Sequence, residues 1–87
     1  MRKIEWTTAF KRDFKKIGTF ESAFIEALGK LANDEPLSEK FCDHPLTGEW
    51  NDFRDCHIRP NLILIYRKPT AACLQLVRLG SHSELGL

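Results

Sequence analysis

Three histidines stand in segments that a small fold can bring together. His44 lies in a polar stretch, His-Pro-Leu-Thr-Gly-Glu-Trp. His57 shares strand parity with Asp55 and Arg59. His82 follows a final apolar run, in Gly-Ser-His-Ser-Glu-Leu. Imidazole titrates near ~6.5, so two histidines can hold one base and one acid at neutral pH. Such a set suits metal-free RNA cleavage. A base removes the 2′-hydroxyl proton as that oxygen attacks phosphorus, and an acid protonates the departing 5′-oxygen. A cation, Arg78 or Arg59, offsets the charge of the phosphorane. The plainer alternative is that each histidine is an ordinary polar surface or capping residue, and composition alone leaves both open.

Other chemistries lack their residues. No phosphate-cradling glycine loop, dinucleotide fingerprint or Walker sequence occurs. Cys42-x-His44 and Cys56-His57 do not have zinc-finger spacing, so no metal and no other cofactor is expected. Cys42, Cys56 and Cys73 make an odd count without a C-x-x-C pair, which points to reduced thiols in small core positions.

The elements that must position the histidines are readable from periodicity. Residues 2–6 suit a short strand, and Thr7 or Thr8 can cap a helix after it. Phe10, Phe14 and Ile17 then recur at helical spacing, with Lys11, Arg12, Lys15 and Lys16 on the other side. Gly18 ends that helix. Thr19 can cap a second, with the stripe Phe20, Phe24, Ala27, Leu28 and Leu31, closed by residues 33–36. A polar loop runs to Trp50. Three strands follow, over Phe53–Arg59, Leu62–Lys68 and Cys73–Leu79, with turns at Arg59-Pro60-Asn61 and at residues 69–72. A short tail follows Gly80. Consecutive strands with short connections imply antiparallel neighbours. Leu62, Leu64 and Tyr66 alternate with Ile63 and Ile65, so this strand is apolar on both faces and central. The helical hairpin covers one face, and the other is left partly open for chemistry.

Length bounds the rest. At 87 residues the chain allows one domain, 1–87, with a small core. A hydrophobic fraction of 43% and a charged fraction of 29% argue against disorder. The longest apolar run, Leu62 to Tyr66, is five residues, far short of a membrane span. Arg2 and Lys3 lead into a polar segment without a secretory apolar region, so a soluble cytoplasmic protein is expected. The net charge of +1 hides an asymmetry. Residues 1–17 carry six basic side chains against Glu5 and Asp13, residues 18–55 carry nine acidic ones against Lys30, Lys40 and Arg54, and the remainder is basic again. Basic ends flanking an acidic middle permit nucleic-acid contact on one surface, through Lys11 and Lys15 among others.

Four motifs carry a resemblance. They are Asp43-His44-Pro45-Leu46-x-Gly48-x-Trp50, Phe53-Arg54-Asp55-x-His57-Ile58-x-Pro60, Leu64-Ile65-Tyr66 and Arg78-Leu79-Gly80-Ser81-His82-x-x-Leu85. Together they resemble the YafQ branch of the RelE/ParE toxin superfamily, and the helical first half fits as well. The resemblance implies a single α+β domain of RelE type, β-α-α-β-β-β, with an antiparallel sheet packed on a helical hairpin. It implies a type II toxin that cuts mRNA on the translating 70S ribosome, is silenced by a cognate antitoxin, and meets operator DNA only through that complex. His44, His57 and His82 match the family's catalytic histidines, and Arg78 its cation near the scissile phosphate. One position departs. The family has aspartate where this chain has Asn61, and an amide neither accepts a proton nor holds a histidine cationic, which implies a weakened toxin. The tail Glu84-Leu85-Gly86-Leu87 also lacks a terminal phenylalanine that some relatives carry. A ParE-like gyrase inhibitor and a non-catalytic RNA- or ribosome-binding module are the competing readings; the three histidines weigh against the first, and Asn61 favours the second.

Overall fold

The computed structural model describes residues 1–18 and 20–87. The chain opens with strand β1 (Lys3–Trp6) and helices α1 (Thr8–Ile17) and α2 (Ser22–Ala32). Strands β2 (His44–Pro45), β3 (Arg54–Arg59), β4 (Leu62–Thr70) and β5 (Cys73–Gly80) follow, and helix α3 (His82–Leu85) closes the chain. Short 3-10 turns at Glu39–Phe41 and Gly48–Trp50 flank β2.

Local chemistry sets the helix ends. Thr7 is extended and its hydroxyl accepts from the Phe10 amide at 3.0 Å, filling the N-cap role. Gly18 closes α1 at φ 80°, a left-handed conformation that glycine adopts without a Cβ clash. Phe10 is fully buried, and its ring meets Trp6 edge-on at 4.9 Å. The Thr19 cap expected for α2 lies outside the described residues. The helix itself begins at Ser22 with Glu21 in the N-cap position, so Phe20 precedes it and is half exposed. Phe24, Ala27 and Leu31 are buried as the stripe requires.

The sheet runs β1-β5-β4-β3-β2, with β4 in the centre. The expected meander of β3, β4 and β5 is antiparallel. The sheet as a whole is mixed, because β1 pairs in parallel with β5, Lys3 opposite Cys73 and Trp6 opposite Leu76. Two helices separate β1 from the meander, and that length of chain permits the parallel return that a tight turn cannot make. The polar loop before Trp50 contains β2, and the tail contains α3, capped reciprocally by Ser81 and Glu84. Pro69 sits within β4 at a register shift rather than in a turn.

Leu62, Leu64 and Tyr66 face the main core with Phe10, Phe24, Phe41 and Leu74. Ile63 and Ile65 face the other way, into a small cluster with Leu85, Leu46, Trp50, Phe53 and Val77. Cys56 and Cys73 are buried as expected, whereas Cys42 is exposed, because it sits at a left-handed bend (φ 48°) that turns its thiol away from the core. Among the described residues, no helix is long and apolar enough to cross a membrane.

β1 stops opposite Leu76, so the rest of β5 would present an unpaired edge. Helix α1 finishes it. The Thr7 hydroxyl donates to the Val77 carbonyl at 2.8 Å, and the buried Asp13 carboxylate accepts from the Leu79 amide at 3.0 Å. Arg78 then grips the same carboxylate through Nε at 2.7 Å and Nη2 at 3.3 Å. Burial alone would raise the Asp13 pKa, but the Arg78 and Leu79 hydrogen bonds and the charges of Arg78 and Lys16 outweigh it and hold the carboxyl below its usual value.

Asp13→Ala should leave the Leu79 amide and the half-buried Arg78 without their acceptor, costing about 2 kcal/mol. In a chain of this size Tm should fall by roughly 10 °C. The depressed pKa means this stabilisation is complete above the unfolded value of ~3.9 and is lost as pH falls through the folded one. Melts of the two proteins should differ at neutral pH and draw together as the medium is acidified below the usual carboxylate range.

Candidate active site

The face of the sheet away from the hairpin collects the polar residues of β3. Side chains alternate along a strand, so Asp55 and His57 emerge together on that face, opposite Ile65 and Ile63 of β4. β2 adds His44 directly opposite Asp55. From the far side, α3 begins at His82, immediately after the Ser81 cap. The result joins segments 38 residues apart in sequence: the His57 ring lies 6.4 Å from His44 and 5.2 Å from His82, centroid to centroid. Every sequence-identified histidine is therefore in one cluster.

The hydrogen bonds of the rings fix what they can do. His44 Nδ1 lies 2.7 Å from the Cys42 carbonyl oxygen, which only accepts, so Nδ1 carries the proton. The neutral ring then keeps its lone pair on Nε2, where a base needs it. His44 Nδ1 is also 3.1 Å from Asp55 Oδ1, an electrostatic contact, because the single Nδ1 proton goes to the carbonyl. His82 receives a different partner. Asn61 Oδ1 lies 3.4 Å from both the His82 amide nitrogen and its Nδ1, so the strand turn steadies the start of α3.

Asp55 is the residue that sequence reasoning passed over. It is 2% exposed, and its Oδ1 has no hydrogen-bond donor among the described residues. Burial pushes its carboxyl above the usual value, against the opposing charges of His44, His57 and His82. A buried carboxylate with one oxygen lacking a donor, in the field of three imidazoles, is costly to maintain, and it is an arrangement by which a site tunes proton transfer. Its shared parity with His57 was the available signal; its burial was not.

The cationic residues sit at varying distances from this cluster. Arg78 belongs to the same cross-strand row, Arg78–Ile65–Asp55–His44, but its guanidinium is held by Asp13. Arg59 is exposed and forms an ion pair with Glu21 at the N-cap of α2. Lys11 and Lys15 are exposed on α1. A cleft of about 580 Å³ opens beside His44, Asp55 and His82, walled by Leu46, Trp50 and Leu85. A second pocket of about 510 Å³, more apolar, lies on the other side of His57 against Phe41, Ile58 and Pro60. Each is roomy enough for a nucleobase. Among the described residues, no group of three or more His, Cys, Asp or Glu side chains is arranged to hold a metal ion.

Comparison with known proteins places this geometry. Residues 2–86 match the family model described as bacterial toxin of type II toxin–antitoxin system, YafQ. A relative named mRNA interferase toxin YafQ, from Escherichia coli strain B / BL21-DE3, is 43% identical, with 97% of this chain and 95% of that protein covered. Among solved structures, a copper-bound mutant toxin from Helicobacter pylori superposes with a TM-score of 0.90 at 42% identity, covering 98% of this chain and 99% of that one. The E. coli DinJ–YafQ complex matches with a TM-score of 0.81 at 32% identity, covering 98% of each chain. With residues 2–86 matched by the family model and the fold shared with these solved structures, the chain belongs to the YafQ family of bacterial type II toxin–antitoxin toxins.

Proposed function

We propose that this protein is an endoribonuclease that cuts mRNA on the 70S ribosome and thereby stops translation. The observation that carries the reading is the convergence of His44, His57 and His82 around the buried Asp55, in a family with a relative named as an mRNA interferase. His44, neutral with its Nε2 lone pair available, takes the 2′-hydroxyl proton. The 2′-oxygen forms its bond to phosphorus, and the bond to the 5′-oxygen breaks. His82, protonated, gives its proton to that leaving oxygen. The products are a 2′,3′-cyclic phosphate and a 5′-hydroxyl, with His44 left cationic and His82 neutral. His57 lies between the two and donates to the phosphoryl oxygens. Asp55 stabilises whichever imidazole is cationic. Arg78, steadied by Asp13, supplies positive potential along the same row, and Arg59, Lys11 and Lys15 hold flanking RNA.

The toxin is silenced by a cognate antitoxin, as the solved DinJ–YafQ pair supports, and reaches operator DNA only within that complex. The exposed basic side of α1 suits an acidic antitoxin segment that folds on contact. Incubation with ribosomes carrying a defined mRNA should give cuts with 5′-hydroxyl ends. Intact mRNA alongside inhibited gyrase supercoiling would replace this reading with the gyrase-directed one.

His82→Ala should reduce cleavage by ~10²-fold or more, the range for a lost proton-transfer group. A folded variant with full cleavage would remove His82 from the mechanism. Asn61→Asp would set a carboxylate against His82, favouring its cationic form, and should raise cleavage while moving stability by less than roughly 0.5 kcal/mol. Equal cleavage by the two would make the charge at this turn dispensable.

Asp55→Asn separates stability from function. Because burial raises the Asp55 pKa, its ionisation opposes folding. That cost is absent below the unfolded value of ~3.9 and complete above the folded one. Asp55→Asn should therefore raise Tm at neutral pH while lowering cleavage, and the gain should fade as the medium is acidified through the carboxylate range. Melts across pH, with cleavage measured in parallel, test both halves.

A further inference from the structure

His44 has an insecure seat. It lies on an edge strand of two residues, both exposed, that makes only two register pairs with β3. The chain enters that strand through Cys42, whose φ of 48° is a left-handed conformation that a residue with a Cβ holds at a cost. Short edge strands fray, and a base displaced by an ångström loses most of its rate advantage. Something must hold the strand from outside its own backbone.

Asp43 is what is held. Side chains alternate, so as His44 points to the open face, Asp43 points to the face of the main core. There the Tyr66 hydroxyl donates to Asp43 Oδ1 at 2.6 Å, the shortest of three contacts in a closed triangle. Arg54 Nε completes it, 3.3 Å from Asp43 Oδ1 and 3.3 Å from the Tyr66 hydroxyl oxygen. Tyr66 is 2% exposed and belongs to the central strand, which is paired on both sides by β3 and β5. Burial, and then the bond to Asp43, raise the Tyr66 pKa well above its ordinary value, so the phenol remains a donor throughout the neutral range. Arg54, on β3, lies directly opposite Pro45 of β2 and opposite Tyr66 of β4, so the triangle ties three strands together one row from Asp55.

We propose that Tyr66, through Asp43 and with Arg54 as a brace, is a positioning residue for His44, fixing from the core face the strand that presents the base on the reactive face. The chemistry is indirect. No member of the triangle touches RNA. Tyr66 fixes Asp43, Asp43 fixes the backbone between Cys42 and His44, and that backbone keeps the Cys42 carbonyl on His44 Nδ1 at 2.7 Å, so that Nε2 carries the lone pair. The sequence motif Asp43-His44-Pro45 and the apolar run ending in Tyr66 are thereby one functional unit, although 23 residues separate Asp43 from Tyr66.

The inference rests on His44 acting as base, and the test keeps the two claims apart. Tyr66→Phe removes one oxygen and keeps the core packing. It should lower kcat roughly 10- to 100-fold with KM little changed. The His44 ring signals should broaden or move in NMR spectra, and amides 43–46 should exchange faster, while those of β4 and β5 stay protected. Asp43→Ala should reproduce these effects. Asp43→Asn keeps an oxygen acceptor for Tyr66 and should restore cleavage to within about threefold of the parent. Should Tyr66→Phe fail to fold, the Asp43→Ala and Asp43→Asn pair carries the same comparison. A parent protein that cuts no mRNA would sink the catalytic reading alone, since ring signals and amide exchange still report on the anchor. Parent-like kcat, His44 signals and exchange in folded Tyr66→Phe would overturn the anchor itself.

Discussion

Leu62, Ile63, Leu64, Ile65 and Tyr66 form a strand segment buried on both faces, and the rest of the molecule is arranged around that demand. One face is easily covered: α1 and α2 lay down Phe10, Phe24, Ala27 and Leu31. Among the described residues no second pair of helices covers the other. The chain covers Ile63 and Ile65 with a four-residue helix, a few loop side chains and Val77. Each apolar side chain so buried contributes about 1.5–3 kcal/mol, enough to hold the face closed at its centre but not at its margin. The margin is where His44, Asp55, His57 and His82 lie. The proposed reactive site is thus the unfinished part of the second layer, and the same Leu85 that seals Ile63 and Ile65 belongs to the helix on which His82 stands.

Three aspartates show how the chain divides its carboxylates between scaffold and chemistry. Asp13 is buried and receives an amide, a guanidinium and the charge of Lys16, so it closes the β5 edge. Asp43 receives a phenol and a guanidinium and closes the β2 edge. Asp55 is as buried as either, yet its Oδ1 accepts from nothing among the described residues. An unsatisfied buried carboxylate costs stability, and a fold tolerates one where the group has another task. The two satisfied carboxylates stand behind Arg78 and His44. The unsatisfied one stands among the histidines.

Periodicity made the helices and the meander legible, because Phe10, Phe14 and Ile17 can only be a stripe and Leu62–Tyr66 only a two-sided strand. It could not reveal that β1 lies beside β5. Pairing of a terminal strand depends on chain that crosses the whole sheet, and nothing local records it. β2 was invisible for the opposite reason: two exposed residues have no hydrophobic pattern, and their pairing with Asp55 and Arg54 is wholly long-range. α3 was hidden by brevity, although Ser81 and Glu84 spell its capping box. At the site, the histidines stood out by type and resemblance. Asp55 did not, since a strand aspartate is ordinarily a solvent-facing residue, and the residues that share its cleft, Leu46, Trp50 and Leu85, come from other segments of the chain. Nor could spacing show that Arg78 answers to Asp13, 65 positions away.

The two outer histidines share a constraint that explains why an asparagine can occupy the turn. His44 has its Nδ1 against the Cys42 carbonyl, and His82 has its Nδ1 against Asn61 Oδ1. Both partners are oxygens that accept only, so both rings are turned with Nδ1 as donor and Nε2 presented for proton transfer. That orientation requires an acceptor oxygen, not a charge. Asparagine supplies it, and its oxygen also receives the His82 amide at the start of α3. A carboxylate in the same place would keep the geometry and add a preference for the cationic ring, which is the state an acid must start from. On the proposed mechanism, the amide at position 61 preserves the shape of the site and leaves the stabilising of a cationic imidazole to Asp55, the carboxylate whose charge all three rings feel.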